Sequence, residues 1–121
     1  MNANHCSTAR SGSSSDYAIQ LARPCVDEPE KYIAESKYPN GFLMDVLCSI
    51  LQKNIQEANI SELKCSERLG VARFDLSGNT ILLYRNSKID IRRAADIANA
   101  RLIMKKIERM VKDAFTDTAC G

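Results

Sequence analysis

GNTILLYRNSKIDIRR, residues 78 to 93, decides how the rest of this chain is read. Gly78-Asn79 follows Ser77 as a turn signal, TILLYR is apolar at its centre, Asn86-Ser87 turns the chain again, and KIDIR alternates. Successive side chains on a strand point to opposite faces. Ile89 and Ile91 therefore share one face, and Lys88, Asp90 and Arg92 the other. The strand expected over about 80–86 breaks that alternation, because Ile81 and Leu83 point one way while Leu82 and Tyr84 point the other. A strand apolar on both faces is expected to be covered on both, since burying one Leu or Ile stabilises by about 1.5–3 kcal/mol. The covers available are helices, a second subunit or a ligand.

Upstream, Val71-Ala72-Arg73-Phe74-Asp75-Leu76 alternates and predicts a strand over about 70–76; the strand after the hairpin covers about 88–93. Asp96 then precedes a helix over about 96–115, with Ala100, Ile103, Met104, Ile107, Met110, Val111 and Ala114 along one side. Asn40 precedes another over about 41–58, whose stripe is Leu43, Val46, Leu47, Ile50, Leu51 and Ile55. Pro29 among Asp27, Glu28 and Glu30 suits the first turn of a short helix over about 29–37, ended by Pro39. ISELKCSERLG is ambiguous between one helical turn and an extended segment. The expected order is α-α-β-β-β-α, an α+β domain with a three-stranded antiparallel sheet packed by two long helices. It occupies 17–116, between a polar, disordered tail at 1–16 and a flexible tail at 117–121.

A chain of 121 residues, 45% hydrophobic and 26% charged, has room for one such domain. No apolar run is long enough to span a bilayer, and the N-terminus lacks the apolar core of a secretory signal. A cytoplasmic protein is expected, off the membrane. In that compartment five cysteines, an odd number, do not predict a disulfide framework. Cys25, Cys48 and Cys65 lie inside the expected domain and can hold a metal or an iron–sulfur cluster, with Cys6, Cys120 or His5 as a further ligand. No two of them share a tight turn as in C-x-x-C, and Cys48 sits on an apolar helix stripe where it reads as a core residue. Cys65, beside Lys64 and Arg68, can be a reactive thiolate.

The net charge of +2 hides an asymmetry. Residues 1–63 carry five Lys/Arg against eight Asp/Glu, and residues 64–121 carry twelve against seven. Arg85, Lys88, Arg92 and Arg93 on the hairpin, with Lys105 and Arg109 on the last helix, make a candidate basic binding face. Asp90, Asp96, Glu108 and Asp113 are interleaved with them, and the chain has no tryptophan and few aromatics for base stacking. Protein is favoured over nucleic acid as the partner.

TILLYRNSKIDIRRAADIANARLIMKKIERMV, residues 80–111, resembles the end of one half-repeat of the TATA-binding protein family. The matching positions are Leu82, Leu83, Lys88, Ile89, Ala94, Ala100, Ile103, Lys106 and Ile107. The resemblance implies strand, tight turn, strand and helix in succession. It departs at Asn86-Ser87, where that family has Ser-Gly, and strand two lacks the phenylalanine pairs that wedge into a minor groove.

No catalytic motif, triad or glycine-rich phosphate loop is present, so an enzyme is the least supported class and no cofactor is called for. The function expected is a non-catalytic binding or assembly module whose sheet and basic hairpin-helix face hold a macromolecule. The alternative is a thiol-dependent accessory protein that binds a metal or iron–sulfur cluster, or reacts through Cys65. A homodimer is expected, covering one face or edge of the sheet around Leu83 and Tyr84, because strands of alternating sign pair with a copy of themselves across a two-fold axis.

Overall fold

The computed structural model of the chain describes residues 17–24 and 30–116. The tails expected at 1–16 and 117–121 lie outside the described residues, as does Cys25. Six antiparallel strands form one sheet: β1 (Gln20–Pro24), β2 (Tyr32–Lys37), β3 (Ile60–Ser66), β4 (Val71–Leu76), β5 (Asn79–Tyr84) and β6 (Lys88–Ala94). Their order across the sheet is β1-β2-β6-β5-β4-β3. Two helices, α1 (Met44–Lys53) and α2 (Ile97–Val111), pack against each other on one side of it, α1 over β3 and α2 over β6.

The strands expected between residues 70 and 93 are present as β4, β5 and β6, but the three-stranded sheet and the order α-α-β-β-β-α are wrong. The chain runs β-β-α-β-β-β-β-α. The short helix expected at 29–37 is strand β2, which pairs with β6. Its core-facing residues are Ala34 and Ser36, both buried, too small and too polar to show as a hydrophobic period of two. Acidic residues next to a proline resemble a helix start whether or not a helix follows.

β3 was hidden by a bulge. Ser61 pairs with Asp75 and Lys64 with Arg73, so Glu62 and Leu63 together lie opposite Phe74. Glu62 takes φ 53°, in the left-handed region, and the extra residue shifts the alternation. Ile60 on one side of the bulge, and Leu63 and Cys65 on the other, thereby all meet the core. A similar device closes β6. Arg92 and Arg93 span one position between the pairs Ala34–Ile91 and Tyr32–Ala94. Arg93 takes φ 64°, Asn79 Nδ2 donates to both carbonyls at 3.0 Å, and Ala94 is buried where Arg93 would otherwise have been.

The β4–β5 hairpin turns through Ser77 and Gly78, at φ 52° and 87°, the positive pair that a two-residue hairpin loop needs. Entry to α1 is set by backbone contacts instead of a side-chain cap at Leu43. Phe42 N–H donates to the Arg85 carbonyl at 3.0 Å and Leu43 N–H to that of Ala114 at 2.7 Å. A Cβ on Gly41 would stand 2.5 Å from the Arg85 carbonyl oxygen, so that approach requires glycine. α1 ends at Lys53, short of the expected 58, where Asn54 turns back to the Ile50 carbonyl.

One apolar core lies between sheet and helices. Leu47 and Leu51 of α1 and Ala100, Met104, Ile107 and Val111 of α2 meet Ile81, Leu83, Ile89, Ile91, Phe74 and Ala72, all fully or almost fully buried. Tyr38 lies within it, its hydroxyl donating to the Met104 carbonyl at 2.9 Å, in edge contact with Tyr17 and Phe115.

Candidate functional site

Both helices occupy the face that Ile81 and Leu83 point into, so the opposite face of the sheet carries no element of the described chain. The strand register sets out that open face residue by residue. A central row crosses all the strands as Gln20, Glu35, Asp90, Leu82, Arg73 and Lys64. On one side of it lie Lys37, Lys88, Tyr84, Val71 and Ser66. On the other side lie Arg92, Thr80, Asp75 and Ser61. The middle column, contributed by β5, is Thr80, Leu82 and Tyr84. Thr80 is buried, and Leu82 and Tyr84 are half-buried by the long charged side chains around them.

Local bonds hold this surface in place. The Lys88 ammonium stands 5.6 Å from the centre of the Tyr84 ring and 3.8 Å from Asp90 Oδ1. The Tyr84 hydroxyl donates to Asp90 Oδ2 at 3.2 Å. Burial raises the Tyr84 phenol above its ordinary value, and the Asp90 carboxylate raises it further. Asp90 Oδ1 accepts no hydrogen bond among the described residues and faces the Lys88 ammonium alone. Thr80 donates to Asp75 Oδ1 at 2.9 Å. Among the described residues, Lys64, Arg73 and Arg92 have no carboxylate within ion-pairing distance.

The basic residues expected to form one face are divided by the core. Lys88 and Arg92 stand on the open face, whereas Lys105 and Arg109 stand on α2, on the far side of the sheet. Arg93 donates to the Gly78 carbonyl at 3.1 Å and borders a polar hollow of about 230 Å3 with Glu62, Lys64, Arg73, Asp75 and Thr80. Arg85 is a structural residue: its guanidinium donates to the Glu67 carbonyl and lies against Gly70, closing the β3–β4 turn. Of the expected interface pair, Leu83 is fully buried beneath the helices. Tyr84 is open, and its neighbour on that face is Leu82. Glu35, unremarked in the sequence, and Lys64, noted there only as a neighbour of Cys65, join the face because β2 and β3 are strands.

Cys48 and Cys65 form a disulfide that ties α1 to β3, with Cα atoms 5.6 Å apart. Neither can then serve as thiolate ligand or nucleophile, which corrects the metal, iron–sulfur and reactive-Cys65 expectations for these positions. From sequence, the expected reducing compartment and the odd cysteine count argue against a disulfide, and the segment holding Cys65 is ambiguous. Among the described residues no group of His, Cys, Asp or Glu is placed to hold a metal ion. No described helix is long and apolar enough to cross a membrane. The disulfide also bears on the cytoplasmic expectation, since such bonds persist in oxidising compartments and are rare in reducing ones.

The chain matches no family model, no curated protein and no solved structure.

Proposed function

We propose that this chain is a non-catalytic assembly module that holds a protein partner on the open face of its sheet. The observation that carries this is the column Thr80-Leu82-Tyr84, apolar at its middle, set between charges of both signs on a face that the helices leave bare. Half-exposed Leu and Tyr gain from being covered, and the ring of Lys37, Lys88, Arg92, Glu35, Asp90, Asp75, Arg73 and Lys64 supplies specificity. Nucleic acid is the weaker partner. Glu35, Asp90 and Asp75 would repel phosphates across this same surface, and the cations of α2 stand on its far side.

Amine-reactive footprinting tests the proposal. In a lysate of cells expressing the chain, Lys64 and Lys88 should be labelled several-fold more slowly than in the dilute purified protein. Lys105 and Lys106 on α2, and Lys112 just beyond its end, should react equally in both. Nuclease treatment of the lysate should leave the protection in place. Protection of the α2 lysines instead, or its loss on nuclease treatment, would reject the proposal.

A further inference from the structure

In two of the three rows of the open face the charges are antisymmetric about β5; the third carries Lys37 and Lys88 on the β6 side and the uncharged Val71 and Ser66 on the β4 side. In the central row Glu35 and Asp90 lie on the β6 side of Leu82, and Arg73 and Lys64 lie on the β4 side. In the neighbouring row the order reverses, with Arg92 on the β6 side of Thr80 and Asp75 on the β4 side. From this pattern we infer that the partner is a second copy of the chain, docked face to face about a two-fold axis that lies in the interface along β5. The inference rests on the function proposed above and names its partner.

Such an axis lays β6 over the other copy's β4 and β2 over its β3. Asp90 then stands opposite the partner's Arg73, Arg92 opposite the partner's Asp75, and Glu35 opposite the partner's Lys64. Every pair occurs twice, because the interface is isologous. Leu82 meets the partner's Leu82 on the axis, and Tyr84 meets the partner's Tyr84. A displacement by one strand breaks the match: with the axis on β6, Arg73 would no longer face a carboxylate. Packed sheets lie about 10 Å apart and cross at about 30°. Neighbouring strands are about 4.8 Å from the axis strand, so that rotation moves the Asp90 and Arg73 positions by only about 2.5 Å, within the reach of an arginine.

The edges of the sheet are poor alternatives for self-association. β1 carries Pro24 and a register shift, and β3 carries its bulge with Glu62 in the left-handed region; both features blunt an edge. The face, six strands wide and about 20 Å along each strand, covers roughly 500 Å2 per copy in projection. That is the low end for a specific interface, so a reversible dimer in the micromolar range is expected.

Sedimentation equilibrium on the purified chain, from about 1 to about 200 µM, tests this. The wild-type chain should show a monomer–dimer equilibrium. Asp90→Arg and Arg73→Asp should each weaken it by about tenfold or more, since each places like charges opposite one another at two symmetric places. Mixed together, the two single variants should form a heterodimer tighter than either homodimer, because arginine then meets aspartate at both places. Glu35→Lys and Lys64→Glu form a second pair for the same experiment; among the described residues neither side chain is in an ion pair. Circular dichroism melts accompany each variant. A chain monomeric at about 200 µM, a dimer indifferent to the reversals, or mixing that restores nothing would overturn the inference. A monomer whose Lys64 and Lys88 stay protected in lysate would reject the two-copy interface and leave the proposed function standing.

Discussion

The two faces of β5 carry nearly the same composition and have opposite fates. Ile81 and Leu83 have no exposure at all beneath the helices, while Leu82 and Tyr84, one residue away on the same strand, stand half-covered among charges. The core face is closed by Leu47, Leu51, Met104 and Ile107, whose apolar surface has no other place to go. The open face is closed only in part: Leu82 and Tyr84 stay half-exposed, with the Lys88 ammonium over the Tyr84 ring. Hydrophobicity alone therefore does not say what covers a strand; the number and placement of the helices decides it. An apolar residue left over after the helices are placed is where a partner is to be sought.

Truncation on either side separates the faces most sharply. Leu83→Ala should cost about 2–5 kcal/mol, whereas Leu82→Ala, measured in dilute solution by urea unfolding, should cost about 1 kcal/mol or less. Equal costs would mean that the open face is already covered within one chain. The disulfide belongs wholly to the covered side. Cys48 and Cys65 are separated by 17 positions, and closing a loop of that size restricts the unfolded chain by about 3 kcal/mol. Reductant, or Cys48→Ala with Cys65→Ala, should lower the melting temperature by roughly 10–20 °C, with dimer affinity unchanged. A loss of association on reduction would show that β3 is positioned on the open face by its bond to α1.

The smallest effect concerns phenols and is read against pH. Burial raises Tyr38 well above its ordinary value of 10.0, and burial with the nearby Glu108 carboxylate raises Tyr17. The protonated phenols thus contribute stability that is complete below about pH 10 and is lost as pH rises through the folded-state values. Melting temperature should fall above about pH 10. In Tyr38→Phe that fall should be shallower, at a cost near neutrality of about 1 kcal/mol for the hydrogen bond to Met104. A fall unchanged in Tyr38→Phe would assign the alkaline loss to Tyr17 and Tyr84.

Much of the fold could be read from periodicity. The β4–β5–β6 meander and the apolar stripes of α1 and α2 follow from side-chain spacing, because each of these elements buries large residues at a regular period. β2 reads as a helix in sequence and β3 is open between a helical turn and an extended segment, for two separate reasons. One buries Ala34 and Ser36, which carry almost no hydrophobic signal. The other interrupts its period with Glu62, where a bulge absorbs one residue. Without both as strands, Glu35 and Lys64 do not enter the candidate site; it is the expected compartment, instead, that argues against the Cys48–Cys65 bond.

Local sequence determined which residues of this protein point together, since alternation along a strand and spacing around a helix are properties of the backbone. It also determined the mixed charge beside an apolar centre at Lys88-Ile89-Asp90 and Arg73-Phe74-Asp75. Only tertiary structure decided that both helices fall on one face, that Cys48 meets Cys65, and that Lys105 and Arg109 stand apart from Lys88 and Arg92. The physical reason is that those outcomes depend on pairing between distant strands, whose register brings Glu35, Asp90, Leu82, Arg73 and Lys64 into one row from five separate strands.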